Sequence, residues 1–441
     1  MNRPDVTLST TWRFPEPDSW SLANGLQVLA FDLPGQPMAA VELVLPAPLH
    51  REPAEREGVA ALALHSADEG TNAHPDGGFA DELERGGAEL RGSAGQHHTG
   101  VGLDVAATRL PRALELLHEL ITTPQYDVAD IDRHIEHQLA NIDARLSSPA
   151  ATTRQAFRTA LFGAADRRGR PAGGTRETLA RLQREDVVRW QQARWRPGGA
   201  TLVLAGDLRR VNVAEAVAGL EQWTGDACTE PDPAGRAAPA VTCVDFPEAV
   251  QVTLQLGALT IGRTHPQWAA LKVAGHALAG GFASRINLEL REKRGITYGI
   301  GGGLSPRPRD GLFTVAGNVS VETAVESLRY ITGAITLEHE FTAAEIADAQ
   351  SFLTGVSPLA NETAADIARQ AAILAAADIP VGFVNELQNS LASTTPADAT
   401  AALRDLVTPE QLTIAVAGPA ETVAPALAKA GFDPQVVTPI S

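Results

Sequence analysis

The chain repeats itself at long range, and this repeat constrains its fold more than any single motif does. A strand-like segment, a helical segment and an apolar segment near the end of the first half recur in the same order in the second half. The pairs are 39–45 with 250–256 and 112–118 with 323–329, each offset by 211 residues, and 201–206 with 413–418, offset by 212. Three matches in one order predict a tandem duplication of about 210 residues.

The seam between the two copies should lie where the composition changes. Residues 226–240 contain several Pro and Gly and show no periodicity, as a linker would. A chain of 441 residues also exceeds what one hydrophobic core usually serves. We therefore expect a first domain at 1–225, a linker at 226–240 and a second domain at 241–441.

Within each half, strand signals come first, a run of helical signals follows, and another strand closes the unit. An Asn-Gly pair at 24–25 between apolar residues predicts a hairpin. In the first half we expect helices near 58–67, 77–86, 109–121, 127–146, 150–161, 175–195 and 210–222, and strands near 88–93, 97–106 and 200–206. This order predicts an α+β fold: two homologous α/β sandwich domains, each a mainly antiparallel sheet covered by helices.

The composition limits the partners and the location of the chain. Its 36 Lys and Arg against 53 Asp and Glu give a net charge of −17, which disfavours nucleic acid and anionic membrane surfaces as partners. Cys228 and Cys243 are the only cysteines; a disulfide between them stays open, but so few cysteines fit a reducing compartment better. Without a signal-peptide core or an apolar span, we expect a cytoplasmic location.

One helical segment carries part of a metal-binding pattern. Residues 58–71 read Gly-Val-Ala-Ala-Leu-Ala-Leu-His-Ser-Ala-Asp-Glu-Gly-Thr. An inverted zinc helix needs His-x-x-Glu-His, which puts two imidazoles at i and i+4 on one face beside a carboxylate that activates water. The chain has Ala61, Leu64 and His65 at these positions, so one possible ligand is present out of three essential groups.

The order of elements and this segment together resemble the pitrilysin/insulinase family of metallopeptidases, particularly its two-domain bacterial members and the mitochondrial processing peptidase. The family reads Gly-x-x-His-x-x-Glu-His-x-x-x-x-Gly-Thr at 58–71, and the resemblance continues through 83–87, 110–117 and 124–127. The family's third zinc ligand, a glutamate 76 residues after the second His, falls on Asn141, and the glutamate seven residues before it falls on His134.

The resemblance therefore implies that the chain has no zinc hydrolase site of its own. Catalytic zinc normally needs three protein ligands, and Ala61, His65 and Asn141 cannot supply them. Leu64 stands at the position of the general base and cannot take a proton from water. The duplication places His276 at the position of His65, which favours packing or hydrogen bonding for both imidazoles.

The other histidine pairs and the edge strand give no replacement site. His97 and His98 are adjacent on a predicted strand, so they face opposite sides and cannot chelate together. His134 and His137 could share a metal on one helix, but no third ligand is evident, and a solvated pair is the simpler interpretation. The family's Asn-Ala pair on the strand near the substrate is Arg-Gly at 91–92 here.

The second half contains the strongest match, at 280–298. The segment 288–293 continues a helix, Gly295 is a natural C-terminal cap, and a strand is expected to start over 296–300. This places Arg291 in the last helical turn and Tyr298 at the entry to the strand. From the residues alone, Arg291 could pair with an acidic neighbour such as Glu292, and Tyr298 could be a core residue with a solvated hydroxyl.

The resemblance gives Arg291 and Tyr298 a functional interpretation. Family members carry an Arg and a Tyr at this spacing of seven, and the two bind the substrate backbone and help to stabilise the tetrahedral oxyanion at a zinc site in another domain. By this resemblance, the chain is a non-zinc-binding subunit of a heterodimeric metallopeptidase. It has no cofactor of its own, its partner is a homologous subunit that carries zinc and His-x-x-Glu-His, and its substrate is a peptide.

Two alternatives stay open. The chain could be a non-catalytic structural or peptide-binding subunit of a larger assembly, like the core subunits of the respiratory cytochrome complex in this family. It could also be an independent hydrolase with a metal at His134 and His137, which the sequence supports less.

Overall fold

The computed structural model describes residues 12–227 and 235–440, and each half of the chain forms one six-stranded sheet. The strands of the first half are β1 Asp18–Ser21, β2 Gln27–Asp32, β3 Met38–Leu45, β4 Glu89–Ala94, β5 Thr99–Ala106 and β6 Thr201–Gly206. Those of the second half are β7 Val241–Asp245, β8 Gln251–Thr260, β9 Ile300–Pro306, β10 Gly311–Ser320, β11 Thr413–Gly418 and β12 Pro434–Val437.

The helices cover these sheets and follow the same order in both halves. In the first half they are α1 Val59–His65, α2 Gly78–Gly86, α3 Leu110–Thr122, α4 Val128–Leu146, α5 Pro149–Phe162, α6 Arg176–Leu179, α7 Arg184–Arg194 and α8 Val213–Ala218. In the second half they are α9 Trp268–Gly275, α10 Arg285–Asn287, α11 Ala324–Ile335, α12 Ala343–Leu359, α13 Ala364–Ala375, α14 Phe383–Ser393, α15 Pro396–Leu406 and α16 Ala420–Lys429.

The two sheets share one strand order, which confirms the predicted duplication and fold class. The first sheet runs β1-β2-β6-β3-β5-β4 and the second runs β12-β7-β11-β8-β10-β9. In both, the long central strand (β3 or β8) is antiparallel to its two neighbours, while β2 is parallel to β6 and β7 to β11. The outer strands differ, because β1 pairs antiparallel with β2 and β12 pairs parallel with β7.

Alternation along the central strands gives each sheet two apolar faces. On β3, Val41 and Leu43 pack into the core formed with the helices of the first half. The alternate residues Ala40 and Val44 point to the opposite face, where they belong to a separate buried cluster. This period of two is the geometry of a strand that is buried on both sides.

A helix from the other half covers the second face of each sheet. Helix α13, from the second half, packs on β3 and β6 through a buried set of residues. Helix α5, from the first half, packs on β8 and β11 of the second sheet, with Phe157 and Leu161 buried against Ala415. The α13 set is Ala364, Ile367, Ala368, Ala371, Ala372 and Leu374. The two halves are therefore joined by a reciprocal exchange of helices.

Several predicted elements differ in their bounds from the structure. The helix expected at 175–195 is two helices, α6 and α7, because the capping boxes of Thr175 and Gln183 each start a separate helix. The helix expected at 210–222 is the shorter α8, followed by a single 3-10 turn. His97 and His98 lie in the turn between β4 and β5, since β5 begins only at Thr99.

The remaining expectations concern the domain bounds, the cysteines and the membrane. The predicted linker at 226–240 stays a prediction, and seven of its residues, 228–234, lie outside the described residues. Cys228 is among them, whereas Cys243 on β7 is a buried free thiol, and burial beside Asp245 raises its pKa to about 11. In the part of the chain that the structure describes, no helix is long and apolar enough to cross a membrane.

The exchanged helix α5 should contribute strongly to stability. Leu161 is 2% exposed between α5 and the second sheet, whereas Leu359 at the end of α12 is 68% exposed. We expect Leu161→Ala to lower the free energy of unfolding by about 2–5 kcal/mol, because it removes buried contacts and leaves a cavity. Leu359→Ala, the same chemical change at the surface, should cost no more than about 0.5 kcal/mol. Equal losses in urea unfolding of the two variants would show that α5 does not tie the halves together.

Candidate functional site

The start of α1 is held by a buried carboxylate rather than by a capping side chain of its own. Both carboxylate oxygens of Glu52 are bonded: Oε1 accepts from the amides of Gly58 and Ala60 at 3.0 and 2.9 Å, and Oε2 accepts from Arg167 at 2.6 and 2.8 Å. Burial raises the pKa of Glu52, and the Arg167 charge and the amide hydrogen bonds act in the opposite direction. This network fixes where the helix begins and which way it faces.

Apolar packing fills the space where zinc chemistry would need polar groups. Ala61 and Leu64 are buried on α1. Leu64 packs over β4 at Gly92, where a Cβ atom would lie 3.0 Å from three atoms of the Leu64 side chain. A side chain at position 92 would therefore require Leu64 to shift by a few tenths of an ångström. A leucine in this contact cannot be exchanged for a proton acceptor without changing the packing on the edge strand.

The neighbouring residue on the edge strand β4, Arg91, forms ion pairs within the sheet. Arg91 on β4 donates to Asp104 on β5 and, at 3.1 Å, to Glu42 on β3. Burial raises the pKa of Glu42, although the hydrogen bond and the charge of Arg91 lower it in part. This ion cluster ties three adjacent strands together across the sheet surface.

The histidines near the end of α1 pair with a carboxylate or face solvent. His134 on α4 lies 2.7 Å from Glu69, and Arg133 lies 2.8 Å from the same carboxylate. Burial acts to raise the pKa of Glu69, but the hydrogen bonds from Arg133 and His134 outweigh it and hold that pKa below its usual value. The pKa of His65 is lowered by partial burial and by the positive charges of His134 and His137.

These contacts bring His65, His134 and His137 near one another without forming a metal site. Among residues 12–227 and 235–440, no group of three or more His, Cys, Asp or Glu side chains is placed to hold a metal ion. Asn141 on α4 is exposed and supplies only a neutral amide. The residues present therefore do not fit a catalytic zinc ion, and no hydrolytic step can be built on them.

In the second half, Arg291 and Tyr298 lie on either side of a tight helix end. Arg291 belongs to a π-helical turn, Leu288–Lys293, which ends at Gly295 in the left-handed conformation, with φ +64°. The amide of Gly295 donates to the carbonyl of Arg291, as expected of a C-terminal cap. The following strand begins only at Ile300, so Tyr298 lies in the connecting loop rather than in the strand.

The two side chains differ in exposure, because Arg291 is half-buried and Tyr298 lies at the surface. Tyr298 is 92% exposed, so it is not a core residue. Arg291 pairs with Glu292 at 2.8 Å and stacks over the ring of Phe282 at 4.6 Å, a ring that is itself 74% exposed. The segment thus presents a guanidinium, a phenol and an aromatic ring on one exposed stretch of chain.

A buried amide that the sequence reasoning missed anchors this loop. Asn287 donates to the carbonyls of Gly281 and Ile300 at 2.9 and 2.8 Å, and it accepts from the amide of Ile300 at 2.9 Å. These bonds tie the helix to the first residue of β9 and so fix both ends of the loop that carries Tyr298. The available signal was a single amide between the apolar residues Ile286 and Leu288.

Two models of one peptidase family match the chain. Residues 27–165 match the family model described as "Insulinase (Peptidase family M16)", and residues 181–353 match "Peptidase M16 inactive domain". The chain belongs to the insulinase, or M16, peptidase family. The resemblance to pitrilysin-type peptidases without the zinc motif, stated from the sequence, is confirmed.

Relatives of this M16 chain include proteins named as zinc proteases. An uncharacterized zinc protease of Mycobacterium leprae is 27% identical over 310 residues, covering 69% of this chain and 68% of that protein. The crystal structure of a peptidase M16 inactive domain from Pseudomonas fluorescens superposes with a TM-score of 0.85 at 23% identity, covering 92% and 98% of the two chains. Subunit 1 of the bovine mitochondrial cytochrome b-c1 complex is 26% identical over 198 residues, covering 44% and 40%.

Restoring the missing donors should restore metal binding. Ala61→His on α1 combined with Asn141→Glu on α4 would add two ligand side chains to His65, at the positions where the family has its ligands. We expect about one zinc ion per chain in this double variant and none in the wild type, because catalytic zinc sites use three protein ligands. Atomic emission after dialysis measures this. Ala61→His alone is the control and should lose zinc on dialysis, and stoichiometric zinc in the wild type would contradict the absence of a site.

Proposed function

We propose that this chain is the non-zinc-binding subunit of a heterodimeric M16 metallopeptidase. It supplies Arg291 and Tyr298 for peptide binding and oxyanion stabilisation to a zinc-bearing partner that cleaves peptides or leader peptides. One observation carries the proposal: Ala61 and Leu64 are buried at the zinc positions, while Tyr298, seven residues after the half-buried Arg291, is 92% exposed. The first half of the chain offers no set of zinc ligands, and the second half offers two hydrogen-bond donors near its surface.

The chemistry of the two side chains suits an oxyanion. A guanidinium and a phenol are both hydrogen-bond donors, and preorganised donors stabilise the negative charge that develops on a carbonyl oxygen in acyl transfer. The ion pair with Glu292 uses part of the donor capacity of Arg291, which has five N–H groups, and the ring of Phe282 fixes the plane of the guanidinium. Donors therefore remain for a substrate carbonyl.

The metal and the general base must come from another chain. The first half of this chain supplies His65 but no second or third ligand, so the partner is a homologous subunit that carries His-x-x-Glu-His. Zinc bound in that partner would act as a Lewis acid and lower the pKa of its bound water. Arg291 and Tyr298 would then contact the substrate from the opposite side.

A second candidate function has its own support. The similarity to subunit 1 of the bovine cytochrome b-c1 complex extends over 198 residues. Under this alternative, the chain is a structural or peptide-binding subunit, and the exposed Arg291 and Tyr298 serve no catalytic step.

Substitution of the two donors separates these functions. In a complex reconstituted with a zinc-bearing homologous subunit, we expect Tyr298→Phe and Arg291→Ala each to lower kcat by a factor of about 10² to 10³, because each removes a preorganised oxyanion donor. Dimer formation, measured by size-exclusion chromatography, should not change. Matched controls are Tyr330→Phe on α11 and Arg294→Ala, whose guanidinium is paired with Glu289 at 2.8 Å. Wild-type cleavage by both Tyr298→Phe and Arg291→Ala would leave the structural alternative.

A further inference from the structure

A pocket between α4 and α5 holds three arginines and no carboxylate. It has a volume of about 360 Å³ and includes Arg145, Arg154 and Arg158, here called the arginine pocket. The side-chain amides of Gln138 and Asn141 face it, and residues 171–174 close one side. Among the described residues that line it there is no Asp or Glu, in a chain whose net charge is −17.

None of the three guanidiniums has an acidic partner in the described part of the chain. Both terminal nitrogens of Arg145 are buried and donate to no acceptor there, and burial lowers the pKa of Arg145. Arg158 donates only to the neutral carbonyl of Arg168, at 2.9 and 3.3 Å, and burial lowers its pKa to about 10. Arg154, one helical turn before Arg158, pairs with no described residue, and like charges at this spacing repel.

The neighbouring arginines show that this arrangement is an exception. Arg167 and Arg170, on the loop after α5, are paired with Glu52 and Glu57, two carboxylates that are buried with them. Arg145 and Arg158 are half-buried and Arg154 beside them is exposed. A guanidinium that is partly buried without a counter-charge is costly, because its desolvation is not compensated by an ion pair. Arg167 and Arg170 have such a counter-charge, and the arginines of the pocket do not have one among the described residues.

The pocket has features that select the kind of anion. A guanidinium group can form two parallel hydrogen bonds to a carboxylate or to a phosphate, so the arginines alone do not distinguish these anions. Gln138 and Asn141 make no hydrogen bond to another described residue, and each amide offers an acceptor as well as donors. An acceptor suits the N–H group of a peptide, but it can also accept from the O–H group of hydrogen phosphate, so the amides alone do not separate the two. The apolar surface of Ile142 and Ala151 fits carbon atoms next to the charged group.

We propose that the arginine pocket binds the carboxylate of a peptide, with Arg145, Arg154 and Arg158 as its counter-charges. The carboxylate belongs either to the C-terminus of the peptide or to an acidic side chain. The inference rests on the proposed function in one respect, that the ligand is a peptide. Asn141 lies both at the degenerate zinc position and in this pocket, so a peptide held here lies beside α4 at the surface where the family would place its metal.

Calorimetric titration of the full chain alone tests the site. The probes are acetyl-tetra-alanine with a free carboxylate, the same peptide as its C-terminal amide, an amidated peptide of equal length with one internal Glu, and sodium phosphate. We expect the free acid to bind at least about tenfold more tightly than the neutral amide, because a charge-assisted bidentate contact is lost. Binding of the acid alone assigns the terminal carboxylate, binding of the Glu peptide alone assigns a side-chain carboxylate, and binding of both shows that the pocket accepts either.

Variants connect that binding to the three arginines. Arg154→Gln should weaken binding of the peptide acid about tenfold or more while the fold is kept, because Arg154 is exposed and makes no side-chain hydrogen bond or ion pair with the described residues. Arg209→Gln, on an exposed arginine paired with Asp207, is the matched control and should leave the affinity unchanged. Arg145→Gln should weaken binding and leave the melting temperature of the ligand-free chain equal or higher, since it removes an uncompensated charge.

Three outcomes would overturn the proposal. They are a neutral amide that binds as tightly as both carboxylate peptides, no binding of any peptide, and an Arg154→Gln variant that binds like the wild type. If phosphate binds where no peptide does, the pocket is assigned to a free oxyanion instead. Because no partner subunit is present, any of these results leaves the test of Arg291 and Tyr298 in the reconstituted complex unaffected.

Discussion

The exchange of helices between the two halves is the constraint on which the rest of the structure depends. Each sheet has two apolar faces, and the helices of its own half cover only one. Helix α13 covers the second face of the first sheet, and α5 covers that of the second sheet through Phe157 and Leu161. Neither half can bury its sheet alone. The two domains are thereby held as one unit, and the helix that carries two of the pocket arginines also joins the halves.

The loss of the metal site is a replacement of one set of contacts by another. Leu64 packs on Gly92, and Glu69 is neutralised by Arg133 and His134. The side chains around the end of α1 are thus occupied by contacts with one another. In the second half, by contrast, Tyr298 remains outside the core, so its hydroxyl is available to another molecule.

Much of this organisation could be predicted from the sequence, because it depends on local periodicity. The repeat and the order of strands and helices follow from apolar spacing, and the cap at Gly295 follows from its lack of a Cβ atom. The predictions that were wrong concern the residues at which strands begin. Tyr298 was expected at the start of a strand and as a possible core residue, but strand pairing begins at Ile300, where Asn287 anchors the chain. His97 and His98 were placed on a strand, but the pairing of β4 with β5 stops at Ala94 and Thr99, and the two histidines lie in the turn between them.

The sequence by itself predicted the duplication, because apolar spacing recurs at one offset. It also determined that two of the positions where the family would have zinc ligands hold Ala61 and Asn141, because ligand chemistry depends on side-chain type and neither residue is a usual zinc ligand. Only the tertiary structure decided which helix covers which sheet, which way Tyr298 faces and which arginines lack a partner. Arg167 finds its carboxylate at Glu52, 115 residues away, whereas Arg154 finds none among the described residues. Such pairing depends on how distant segments pack, which local pattern does not encode.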